Sequence, residues 1–153
     1  MRIKTIDVFF DIYNKFDDTN AYHEDKELRF TQLGSFAEGR ETLVEAVTTA
    51  LYPELPEMLE QYGVNSPEDY DIRVDEIEIL VELQNPPKPE LSELLIAVDD
   101  SWGEGTVVFD KGNGVDRKKI LDVTGKYGIA MSFRQLNRII QMVLDNAKKP
   151  QTV

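Results

Sequence analysis

Cysteine is absent from the 153 residues. Disulfides, thiolate zinc sites and cysteine nucleophiles are therefore excluded. Histidine occurs once, at His23, so any His-based nucleophile system or imidazole ligand would have to use it. It stands beside Glu24 and Asp25 in a polar stretch, no G-x-S-x-G elbow accompanies it, and a surface histidine is the simpler reading. Long apolar runs are missing too. The longest spans residues 94–98, far short of the ~20 that a membrane helix needs. Asp7 and Asp11 interrupt the stretch after the lightly basic start, so no secretory leader is expected. A cytoplasmic location with no membrane association follows as the expectation.

Basic residues are scarce where acids are dense. Residues 66–110 carry 13 acids against Arg73 and Lys88 alone, a net −11. Residues 1–65 carry 13 acids and 6 bases, and residues 111–153 carry 3 acids and 9 bases, so the sign reverses to +6 at the end. The whole chain stands at −12. Such asymmetry points to interaction with something charged, although a solvated surface with chance clustering explains it as well.

What is present is enough apolar material, 41%, for one domain over residues 1–153. The clearest element begins at Ser132. Gln135 three residues on completes a capping box, and Met131 before the cap can pack on Leu136 as a staple. Phe133, Leu136, Ile140, Val143, Leu144 and Ala147 then recur at helical spacing. A helix over 132–147 is predicted, packed in the core.

Elsewhere the patterns vary. Residues 3–17 have strand-like composition, but Lys4, Asp7, Asp11, Asn14 and Asp18 recur three and four apart, which predicts a helix. Residues 17–26 read as a polar loop and 28–33 as a strand. Residues 41–51 read as a helix ended by Pro53, followed by a shorter one from Pro56 to Tyr62 with Gly63 as its stop. Ser66-Pro67 starts a single turn. Period two then takes over: Ile72 and Val74, then Ile77, Ile79, Val81 and Leu83. The parity changes between Val74 and Ile77, which predicts a bulge or bend near Asp75. The prolines in 85–89 require a loop. Residues 94–98 and 106–109 form a hairpin, and 116–127 a helix stopped by Gly128. The sum is an α+β single domain: a small, mostly antiparallel sheet of about three or four strands, flanked by N-terminal and C-terminal helices.

Chemistry-bearing patterns are incomplete. Asp99, Asp100, Ser101 and Glu104 could offer oxygens to a hard cation, but an EF-hand needs glycine where glutamate stands, and a hairpin turn suffices. Asp75, Glu76 and Glu78 resemble a nuclease cluster without its lysine. Gly112-Asn113-Gly114 before Arg117, Lys118 and Lys119 lacks the P-loop spacing. No catalytic residue, metal or cofactor is expected, and the chain reads as no enzyme.

Two functions remain. The first is a non-catalytic acidic module that docks on a basic protein surface, as inhibitors, immunity proteins and antagonists do. Glu76, Glu78 and Glu82 would steer from one strand face, with Tyr70 and Trp102 as anchors. Leu80 among those glutamates hints at a docking surface if exposed; an overlying element that buries it is the simpler alternative. The second is a DNA-binding regulator. Its helix-turn-helix-like pair would span residues 116–147, with Arg134, Gln135, Asn137 and Arg138 reaching phosphates and base edges. A turn longer than the compact motif and the acidic remainder of the chain weigh against it.

Overall fold

The computed structural model describes residues 2–17, 19–86, 92–99, 105–110, 120–124 and 128–148. The chain opens on a long strand, β1 (Arg2–Asn14), not on the predicted helix. Ile6, Val8, Phe10 and Ile12 are fully buried on one face. Asp7, Phe9, Asp11 and Tyr13 alternate with them on the other. The helix-like spacing of polar residues arose because Phe9 and Tyr13 take places that a wholly polar face would have kept for itself. β-Branched and aromatic composition decided the outcome.

The supposed polar loop is β2 (Ala21–Leu28). It pairs with β1 antiparallel in unbroken register from Ile6–Leu28 to Tyr13–Ala21. β2 is an edge strand, so its pairing comes from backbone ladders and its charges discourage further pairing, which is why it lacks an apolar signature. Residues 30–33, predicted as strand, form a 3-10 turn, Phe30–Leu33.

A helical stretch follows: α1 (Gly34–Ala37), α2 (Leu43–Leu51) and α3 (Leu55–Glu60). Thr42 caps α2 by accepting from the Glu45 amide. A 3-10 turn containing Pro53 separates α2 from α3. Gly63 after α3 has φ +75°, the left-handed geometry that suits glycine. After the single turn at Pro67–Asp69 comes β3 (Tyr70–Glu82). Its register against β1 shifts so that Phe9 faces Glu76 and Phe10 faces Val74, leaving Asp75 as the extra residue. The bulge stands where the parity break placed it.

β4 (Glu93–Asp99) and β5 (Gly105–Asp110) continue the antiparallel ladder. Residues 120–124 are a strand, β6 (Ile120–Thr124), paired with β5, so the predicted helix over 116–127 is corrected there. Ile120, Val123 and Thr124 are β-branched, and the ladder with β5 overrides a helical reading that Gly125 already weakened. Residues 111–119 and 125–127 lie outside the described set. The sheet order is β2-β1-β3-β4-β5-β6, wider than three or four strands because of β1, β2 and β6. The class is α+β.

α4 (Phe133–Lys148) closes the described chain. The Ser132 amide donates to Gln135 Oε1 at 2.7 Å, and the Gln135 amide to Ser132 Oγ at 3.2 Å. The predicted capping box is formed. Leu136, Ile139, Ile140 and Val143 are buried, so the stripe includes Ile139, which the spacing missed. These residues join Val47, Leu51, Leu59 and the inward faces of β1, β3 and β4 in one core. Helices thus cover one face of the sheet. Leu80 and Leu95 face each other across β3 and β4 on the opposite face, with Ala97 beside them. All three are buried but separate from that core. Among the described residues no helix is long and apolar enough to cross a membrane.

Candidate functional site: the tyrosine end of the sheet

Register fixes what meets on the face opposite the helices. Asp11 on β1 lies between His23 on β2 and Arg73 on β3. Its side chain is the buried charged group among the described residues, 6% exposed. His23 Nδ1 donates to Asp11 Oδ1, and Arg73 reaches Asp11 Oδ2 at 3.4 Å. The Arg73 guanidinium also sits 5.3 Å from the Tyr13 ring centroid, a cation–π contact. The bulge turns Asp75 toward the same place. Partial burial, then the neighbouring Asp11 charge and a hydrogen bond to it, push the Asp75 carboxyl above the usual aspartate range. Asp11, His23, Asp75 and Phe9 line a shallow hollow of about 400 Å³.

From this row the polar contacts run to one end of the sheet. Tyr13 pairs in register with Asp71, and Asn14 with Tyr70. Tyr52, at the end of α2, donates its hydroxyl to Asp71. That bond, with lesser help from burial and the Asp71 charge, pushes the Tyr52 phenol up to about 12. Burial alone would raise Asp71; the Tyr52 hydroxyl, the Ile72 amide and Lys15 outweigh it and hold the carboxyl below its ordinary value. Tyr62, just beyond α3, donates to Glu24 of β2 and stacks on Tyr22 with centroids 4.1 Å apart. Its phenol is raised, chiefly by the Glu24 bond. Tyr70 lies against Tyr22 at 6.3 Å. Five of the six tyrosines therefore gather at this end.

Phe16 sits in the β1–β2 turn, its amide held by Asn14 Oδ1. It is 83% exposed; Tyr52 is 43% and Tyr62 40% exposed. Among the described residues these three are the exposed large apolar side chains, and all belong to this end. The carboxylates of Asp71, Glu24 and Asp17 rim it.

The residues singled out from sequence fall elsewhere. Glu76, Glu78 and Glu82 do share the face opposite the helices, opposite Phe9, Asp7 and Arg2. Leu80 between them is only 9% exposed, which removes the hint of an exposed docking leucine. Tyr70 is half-buried under Tyr22. It begins a strand whose far end is Glu82, twelve residues and about 40 Å away, so anchor and steering charges are not one patch. Trp102 lies outside the described residues, as do Asp100, Ser101, Glu104 and the 112–119 segment.

On α4, Arg134 and Arg138 are exposed one turn apart and Asn137 is half-buried. Gln135 spends its carbonyl oxygen on the Ser132 cap. A strand, β6, precedes their turn in place of the first helix of a helix-turn-helix. Among the described residues no three or more His, Asp or Glu side chains are arranged to hold a metal ion.

Sequence reading missed Asp11, Asp75 and the tyrosines together, since they come from five separate elements. One signal was available: Phe16 stands alone in the polar run Asn14-Lys15-Phe16-Asp17. Against known protein families, curated proteins and solved structures the chain gives no significant match.

Proposed function

We propose that this chain is a non-catalytic acidic protein-binding module, of the inhibitor or immunity type, that docks on a basic partner surface through the tyrosine end of its sheet. The observation that carries the reading is the convergence of Phe16, Tyr52 and Tyr62 at one carboxylate-rimmed end. Aromatic anchors dominate interface energetics. Two of these are held by their hydroxyls, so they lose little side-chain freedom on binding. A net charge of −12 accelerates encounter with a basic surface and disfavours acidic competitors.

The test starts with a partner recovered from the native host and measures its kinetics at two salt concentrations. Exchanging Phe16 and Tyr52 for serine should raise the dissociation rate by about tenfold or more. Reversing Glu76, Glu78 and Glu82 to lysine should slow association and flatten its salt dependence. Unchanged dissociation in the first variant would remove the tyrosine end as the site.

A further inference from the structure

Resting on that reading, we infer that the partner is recognised through arginine: two guanidinium groups stack on Tyr52 and Tyr62 and pair with Asp71 and Glu24.

The chain already holds a guanidinium in this way. Arg73 lies over Tyr13 at 5.3 Å and beside Asp11 at 3.4 Å, a ring beneath and a carboxylate at the edge. The same two components recur twice at the sheet end without an arginine of their own. Tyr62 donates to Glu24 and Tyr52 donates to Asp71. Tyr62 has one ring face stacked on Tyr22, which directs the other toward solvent. A phenol that donates to a carboxylate carries added negative potential on its ring face, which strengthens attraction for a cation. Glu24 takes Tyr62 on one oxygen and keeps acceptor capacity on the other, whereas Asp71 also accepts from the Ile72 amide and has Tyr13 and Lys15 beside it.

Arginine suits this arrangement better than lysine. A guanidinium is planar, weakly hydrated and forked, so it stacks on a ring and pairs with a carboxylate at once. An ammonium must shed tightly bound water to approach a ring and presents no plane. A purely apolar side chain would cover the carboxylates without pairing them, which is costly.

Parity separates the two positions by face. Tyr22, under Tyr62, pairs with Ile12, which points into the helix-covered core, whereas Asp71 pairs with Tyr13 on the other face. Each position therefore takes its own arginine side chain at the end of the sheet.

The experiment titrates isotope-labelled chain with the hexapeptide Gly-Arg-Pro-Pro-Arg-Gly and with its lysine counterpart at low salt, followed by NMR. The arginine peptide should shift signals of Tyr22, Glu24, Tyr52, Tyr62 and Asp71 and bind about fivefold tighter than the lysine peptide. Tyr52→Leu and Tyr62→Leu, both at exposed positions, should each reduce that preference with the spectrum otherwise intact, and Tyr62→Phe should retain more of it than Tyr62→Leu. Equal binding of both peptides at these residues overturns the arginine inference while leaving the basic-partner reading in place. Binding of the arginine peptide elsewhere, or not at all, overturns it as well. The broader reading then stands or falls separately, on the kinetics of the recovered partner with the Phe16 and Tyr52 serine variant.

Discussion

Asp75 and Asp11 line one hollow across β1 and β3, and the bulge in β3 is what brings the two carboxyls together. A hydrogen bond between them requires one proton between two acids. In the unfolded chain Asp75 releases its proton in the ordinary aspartate range; in the fold it holds it to higher pH. The stabilisation from the protonated form is therefore complete below the ordinary value and disappears as pH rises through the raised one. At neutral pH two neighbouring carboxylates repel. Asp75→Asn should then raise the melting temperature at neutral pH, by no more than about 1 kcal/mol of stability, because most of the group is in water. The gain should vanish below the ordinary aspartate range. A variant that melts lower than the parent at pH 7 would contradict the pairing.

Tyr52 offers an optical check at the other end of the scale. Its phenol should ionise near 12, where the ordinary value is 10, and ultraviolet tyrosinate absorbance reads this directly. Asp71→Asn should bring that midpoint down. The stability owed to the neutral phenol is present in full below 10 and is lost between 10 and 12. Tyr52→Phe should remove this alkaline dependence and lower stability at neutral pH by up to about 1 kcal/mol, because the bond to Asp71 is lost.

Asp71 itself should behave in the opposite sense. Its carboxyl is held below the ordinary range, so its contribution exists above that range and is lost as pH falls through the depressed value. Relative to the parent, Asp71→Asn should destabilise the fold at neutral pH by up to about 1 kcal/mol. The gap between the two should close in acid. Urea midpoints at a series of pH values measure it.

Ile140 on α4 is buried in the shared core. Ile140→Asp places an unpaired charge there, at a cost of several kcal/mol against a total near 5–15. Chemical denaturation should show most of the stability gone. A milder cost, about 1 kcal/mol, is expected for Ser132→Ala, which removes the acceptor for the Gln135 amide.

The sequence was most legible where one rule acted alone. Ser132 and Gln135 form their box because capping is local chemistry that needs only four residues. The bulge at Asp75 was visible as a change of parity, because one extra residue in a paired strand flips the period-two pattern. β1 was misread because its second face mixes Asp7 and Asp11 with Phe9 and Tyr13, so two periods fitted the same letters. β2 left little apolar trace beyond Tyr22 and Leu28, because a charged edge strand is specified largely by its neighbour's backbone. The site was the least legible part. Tyr22 meets Tyr62 only when the end of α3 folds onto β2, and Tyr52 meets Asp71 only after β3 returns beside β1; no spacing along the chain encodes either.

Leu43 and Val44 open α2 by giving their amides to the carbonyls of Met131 and Ile129, at 2.9 and 3.0 Å. During synthesis the ribosome delivers α2 some eighty residues before those carbonyls exist. The β1–β2 hairpin can close as soon as its own turn has emerged, since every pairing within it is near in sequence. The first turn of α2 closes on Thr42 by itself, but until the segment before α4 arrives its two leading amides are served by water alone. The start of α2 is thus finished by a segment some eighty residues further along the chain.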